Sequence, residues 1–231
     1  MKRFLRFLLI KLPLAVILLS VLTVVILKWV PVWVTPIMVS RSIEFRNDTT
    51  FHTLKHWRSL EDISPEMVKA VITSEDNYFC EHDGFDREAI RQAIKEKEEG
   101  KRVRGASTIS QQTAKNVFTM HGRTLFRKAV ESWFTVLIEL IWGKERIMEV
   151  YLNVAEMGKG VYGAQAAAQA YFGKDASKLT RREAAALAAC LPSPLTRDPA
   201  HPSRYISSRT STISKMIPNL TYPDWIEHKD R

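Results

Sequence analysis

From Leu12 to Leu27 the chain carries no charged residue. If Lys11 and Lys28 lay their stems along lipid and keep their ammonium groups at the interface, the apolar stretch extends from Phe7 to Val34. That exceeds the ~20 residues a helix needs to cross the hydrocarbon core. Pro13 sits near one end, where its missing N–H costs least, and Trp29 and Trp33 suit the water–lipid boundary. A cleaved leader would want a shorter apolar region and a small-x-small cleavage site, and Lys28-Trp29-Val30-Pro31-Val32-Trp33 offers none. Lys2, Arg3, Arg6 and Lys11 precede the span, whereas the next charge after Lys28 is Arg41. The positive-inside rule therefore predicts a cytoplasmic tail (1–11), an uncleaved single-pass anchor (12–34) and an external remainder.

The anchor also discounts the overall charge. The chain has 34 Lys+Arg against 25 Asp+Glu, net +9, but five of the cations and none of the acids belong to the anchor region, leaving +4 elsewhere. That suits a membrane surface or an anionic substrate and gives weak grounds for nucleic-acid binding. Two cysteines, Cys80 and Cys190, are too few for a disulfide framework and read as small apolar residues. The residues after the anchor suffice for one domain with its own core.

Residues 35–60 are mixed polar and aromatic without a period, and read as a membrane-proximal connector; a domain is expected over 61–225. There the pattern is helical. Ser64-Pro65 reads as an N-cap followed by Pro at the first helical position, with Met67, Val68, Val71 and Ile72 as the apolar stripe. Asp86 should cap a second helix with Ala89, Ile90, Ala93 and Ile94 inward, stopped by Gly100. Further helices are expected over 125–142, where the sequence is apolar nearly all round and so reads as central, over 144–153, after Gly163, after the capping box Thr180-Arg181-Arg182-Glu183, and over 203–216. No hairpin signal appears.

Three clusters could carry chemistry. Glu75 ends an apolar helix with Phe79 and Phe85 close in sequence, so its carboxylate could be partly desolvated and ready to take a proton; an isolated Glu-Asp pair is more often a cap or salt bridge. Ser107 to Asn116 packs hydroxyls, amides and a cation into about three turns of helix. Within it Gln111 and Gln112 lie four and three residues before Lys115 and can share its face. A polar exposed helix is the alternative. Arg127 and Lys128 lie four and three residues before Glu131, forming either a structural ion-pair network or an active-site cluster.

Taken together these stretches resemble the peptidoglycan glycosyltransferase family. Its pattern Glu-Asp-x-x-Phe-x-x-His-x-Gly is met by Glu75, Asp76, Phe79, His82 and Gly84. Its second motif is met by Gly105, Ser107, Thr108, Ser110, Gln111, Gln112, Lys115 and Asn116, with Ser110 where many relatives carry Thr. The third is met by Arg127, Lys128 and Glu131, and the fourth by Lys144, Ile147, Tyr151, Leu152 and Asn153. The resemblance implies a mainly α, lysozyme-like two-lobed domain, behind the transmembrane helix, that polymerises lipid II into β-1,4-linked glycan strands by inverting transfer from a lipid pyrophosphate. It implies Glu75 as general base and Glu131 as the second acid. Lys115, Lys128 and Arg123 would meet the pyrophosphate, and Ser107, Gln111, Gln112 and Asn116 would hold sugars and phosphates. Asp76, Phe79, His82, Gly84, Arg127 and Asn153 would be motif or structural residues. A divalent cation, Mg or Mn, could join the leaving group; no residue is assigned as its ligand. The implied partners are lipid II, the growing glycan, the bacterial inner membrane and cell-wall synthesis or division proteins, with no nucleic acid. Neither Ser-x-x-Lys nor Lys-Thr-Gly occurs, so no transpeptidase activity is expected. The alternatives weighed are a lysozyme-like enzyme that cleaves finished peptidoglycan, which would not need the cation-rich third motif, and a non-catalytic binder of anionic lipid.

Overall fold

The computed structural model describes residues 7–101, 105–120, 122 and 124–227. A short π-helical turn, Phe7–Lys11, runs into α1, Leu12–Leu27. Together Leu9–Leu27 make a 19-residue helix of mean hydropathy 2.7, long and apolar enough to cross a membrane. Its later half is not a loose tether. Trp133 Nε1 donates to Ser20 Oγ (3.0 Å), Trp142 Nε1 to the Val24 carbonyl (2.7 Å), and Arg146 Nη2 to the carbonyls of Leu27 and Val30 (2.8 Å each). The arginine thus satisfies acceptors that a helix C-terminus leaves unpaired.

The stretch 35–60 holds α2, Pro36–Glu44, whose first turn is capped by the Thr35 hydroxyl, and β1, Leu54–Lys55. β1 pairs parallel with β3, Val161–Tyr162, which pairs antiparallel with β2, Glu156–Gly158, in the order β1-β3-β2. The expectation of no hairpin is therefore corrected. Lys159-Gly160 turns the chain between strands of three and two residues, too short for alternation to register. Gly160 has φ +73°, and a Cβ there would lie 2.4 Å from the His52 carbonyl oxygen.

The helices are α3, Pro65–Glu75; α4, Arg87–Glu98; α5, Ile109–Phe118; α6, Leu125–Ile141; α7, Lys144–Val154; α8, Ala164–Phe172; α9, Arg181–Cys190; α10, Arg204–Met216; and the single turn α11, Asp224–Glu227. They form two packed groups: α9 lies between α3 and α10, and α5 lies against α6 and α7. Alanine makes the first group possible. Ala184 to Ala189 and Cys190 are all buried, which lets neighbouring backbones approach closely. Cys80 is exposed and both cysteines are free.

Three local expectations change. Ser64 precedes α3, but its hydroxyl donates to the Leu179 carbonyl (2.8 Å) instead of capping the helix. Asp86 caps α4 as expected, yet no residue of α4 is buried and Ile94 is exposed. α6 is not a central helix. It buries Glu131, Thr135, Leu137 and Ile138, while Leu125, Phe126 and Leu140 point outward. The reason is its position: the outer apolar surface of α6 flanks α1, where Trp133 meets Ser20.

Candidate active site

α3 ends at Glu75, and Asp76 breaks it with φ −163°. The two neighbours part company. Asp76 is buried and turns toward the second motif, accepting from His82 Nε2 (3.0 Å) and from the Ile109 backbone N–H (3.0 Å). It thereby satisfies one of the free N–H groups that open α5 and favours the positive end of that helix. His82 Nδ1 accepts from the Gly84 N–H (3.1 Å), which fixes the ring with its Nε2 proton on Asp76. Gly84, at φ +87°, returns its carbonyl to the Thr108 hydroxyl (2.7 Å). A Cβ at Gly84 would lie 2.8 Å from Thr135 Cγ2 and 2.9 Å from Glu139 Cγ. Phe79 is wholly buried beside His82, its ring edge-on. The first motif is thus the lock that sets the start of α5.

A second lock lies behind it. Glu139, an acid inside the apolar run of α6, accepts from the buried Ser110 hydroxyl and from Lys144 Nζ (2.7 Å), whose ammonium also donates to the His82 carbonyl. Residues from the first, second and fourth motifs therefore meet in one hydrogen-bonded network around Glu139. Thr108 caps α5 in a capping box with Gln111: the Gln111 N–H donates to the Thr108 hydroxyl, and the Thr108 N–H to Gln111 Oε1 (3.1 Å each). Gln111 is consequently buried. Spacing alone put it on the face of Lys115; the cap turns its amide inward instead.

What α5 presents outward is Gln112 and Lys115. Gln112 Nε2 donates to Glu75 Oε2 (3.0 Å), and Tyr151 donates its hydroxyl hydrogen to Gln112 Oε1 (3.2 Å). Burial raises the Glu75 carboxyl above its ordinary range; the Gln112 bond, the Arg209 charge and the Ser74 hydroxyl oppose that, and Asp76 adds to it. A cavity of about 170 Å³ opens in front, lined by Glu75, Tyr78, Asp86, Ser107 and Thr108 among others. Ser107 is exposed at its wall.

Lys115 lies less than one turn beyond Gln112 on the same helix, about 4.5 Å along its axis. Burial depresses its ammonium; Glu131 opposes this and Arg127 and Lys128 add to it. Those three residues form the other end of the site. Glu131 is buried and accepts from Arg127 Nη1 (2.6 Å) and Lys128 Nζ (2.5 Å). Lys115 makes no ion pair among the described residues, and Arg127 Nε is buried without a partner among them. Asn116 follows Lys115, half-buried. Asn153 stands apart: it is buried in α7 and stitches it to Arg58, accepting from the Arg58 N–H and donating to its carbonyl (2.8 Å each). Arg123 lies outside the described residues. Sequence reasoning missed Arg209, whose Nη2 reaches Ser74 Oγ (3.5 Å) and whose charge acts on Glu75. Nothing local marked it, since α10 approaches α3 only in three dimensions.

Fold and site define a helical domain, joined to an apolar N-terminal helix, with a desolvated acid and a nest of cations on either side of one helix turn. The sequence matches the Transglycosylase family over residues 45–217. It is 50% identical to a biosynthetic peptidoglycan transglycosylase of Caulobacter vibrioides, covering 93% of this chain and 91% of that one. Similarly named proteins of Pseudomonas entomophila (49%; 91% and 90% covered) and Pseudomonas aeruginosa (46%; 92% of each) are nearly as similar. The chain belongs to the transglycosylase family.

Proposed function

We propose that this chain is a membrane-anchored peptidoglycan glycosyltransferase that polymerises lipid II, moving the growing glycan from its lipid diphosphate to the 4-hydroxyl of an incoming sugar. The single observation that carries the reading is the bridge made by α5: its Gln112 holds Glu75, and within one turn its Lys115 enters the field of Arg127, Lys128 and Glu131. One helix turn thus joins a carboxylate that can accept a proton to cations that can receive a leaving anion.

The acceptor hydroxyl gives its proton to Glu75 while its oxygen forms the new bond to the anomeric carbon. The bond from that carbon to the diphosphate oxygen breaks, and its electron pair leaves with the diphosphate. Attack opposite the leaving group turns an α-linked donor into a β-1,4 product. A glycosidase must instead protonate a poor alkoxide leaving group. A diphosphate leaves readily and needs positive charge where negative charge develops. Lys115, unpaired among the described residues, and Lys128 supply it, with Arg127 beside them. Glu131 has a cation on each of its oxygens, so it orients Arg127 and Lys128 and offers no ready cage for Mg or Mn. Ser107, Gln112 and Asn116 line the way for sugar and phosphate oxygens.

The cationic start of the chain supports an N-terminus on the cytoplasmic side of the inner membrane, with the domain outside. Anchoring keeps it beside a substrate whose tail stays in the bilayer. Sizing the product formed from labelled lipid II by the detergent-solubilised protein tests the reading. Polymer is expected; unchanged substrate, or fragments released from finished cell wall, would overturn it.

A further inference from the structure

The side chain of Gln112 is nearly symmetric in shape, so which end of its amide meets Glu75 depends on what holds the other end. The holder is Tyr151. Its ring is buried in α7 and its hydroxyl reaches Gln112 Oε1 at 3.2 Å, while Gln112 Nε2 reaches Glu75 Oε2 at 3.0 Å and the Ser107 carbonyl at 3.5 Å. A phenol facing an amide oxygen donates. With the oxygen so occupied, both amide hydrogens are turned toward the carboxylate and the Ser107 carbonyl. A reversed amide would set its oxygen against Glu75, acceptor against acceptor. Burial, with Glu75 and Asp76 nearby, holds the Tyr151 hydroxyl well above the ordinary tyrosine range, so it keeps the hydrogen it donates.

We infer that Tyr151 is a positioning residue for the transfer reaction: acting through Gln112, it engages one oxygen of Glu75 and leaves the other, Oε1, to take the acceptor proton. This rests on Glu75 being the base. Tyr151 touches neither the carboxylate nor the cavity in front of it, so its effect passes through one amide. Among the described residues the Ser74 hydroxyl, at 3.3 Å, is the partner of Oε1, a longer contact that an incoming sugar hydroxyl can displace.

Tyr151→Phe removes only the phenolic oxygen. Gln112 then loses its fixed sense, and the charged form of Glu75 loses a steady donor. The acid limb of the kcat–pH profile for lipid II polymerisation should move to higher pH, with kcat at neutral pH lowered about 3- to 10-fold, less than the general base itself contributes, and KM little changed. Gln112→Met, which keeps length and loses the amide, should move the limb the same way. Tyr151→Phe added to Gln112→Met should do nothing more. An unmoved limb in a folded Tyr151→Phe protein, or an additional loss in the double variant, would overturn the inference. If Tyr151→Phe does not fold, Gln112→Met alone decides, an unmoved limb again counting against it. Glu75→Gln is run beside them. Near-normal turnover there would remove Glu75 as base, whereas an inactive Glu75→Gln with unmoved limbs would sink only the role of Tyr151.

Discussion

Glu75 sits where a carboxylate is least welcome and most useful. Because burial raises its folded-state pKa, the native protein binds that proton more tightly than the unfolded chain does. Its contribution to stability is complete below the ordinary glutamate pKa of ~4.3 and is lost as pH rises through the raised value. At neutral pH the buried carboxyl is therefore a stability cost. Glu75→Gln should raise Tm at pH 7, with the gain shrinking as pH falls toward 4, by thermal unfolding in detergent; an unchanged or lower Tm at pH 7 would contradict the assignment. Gly84 makes the opposite case. Gly84→Ala combines a left-handed φ with overlap onto Thr135 and Glu139, and should destabilise by about 3 kcal/mol in denaturant titrations. A loss under 1 kcal/mol would mean that the turn adapts.

At the scale of elements, α5 is the part on which both ends of the site depend, and Asp76 sets its start. Asp76→Ala would leave the buried Ile109 N–H and the His82 ring without their acceptor, each costing about 1–3 kcal/mol. The expected outcome is a less stable protein whose polymerisation falls at least 10-fold at temperatures where it remains folded, because Gln112 and Lys115 move with the helix. Full activity in a folded Asp76→Ala protein would show that α5 holds its place without the cap. The motifs that build this element were legible in the sequence because Thr108, Lys115 and Glu131 obey helix spacings. The roles of Gln111 and Gln112 were not: adjacent residues of one type go to a cap and to the cleft according to neighbours from other segments. Glu139 was hidden by its own apolar surroundings. The β2–β3 hairpin was hidden by its brevity, and the exposed face of α6 by the assumption that apolar means inward.

Across the whole molecule, the apolar N-terminal helix is part of the structure rather than a leash. Hydrogen bonds from Trp133, Trp142 and Arg146 hold Ser20 to Val30 against α6 and α7. A chain beginning at Thr35 should therefore unfold at a lower temperature. It should also lose roughly 10²-fold in turnover of vesicle-held lipid II, as substrate and enzyme cease to share a surface. An equal Tm would mean that the packed anchor adds nothing to the domain. The most direct measurement is the turnover of labelled lipid II by purified Glu75→Gln beside binding of a phosphoglycolipid inhibitor. Loss of about 10³-fold or more in turnover, with binding retained by this variant and weakened by Lys115→Ala, is the result expected of a carboxylate and a cation nest working on either side of one turn of α5. Polymer made by Glu75→Gln at a rate within a few-fold of the parent would contradict it.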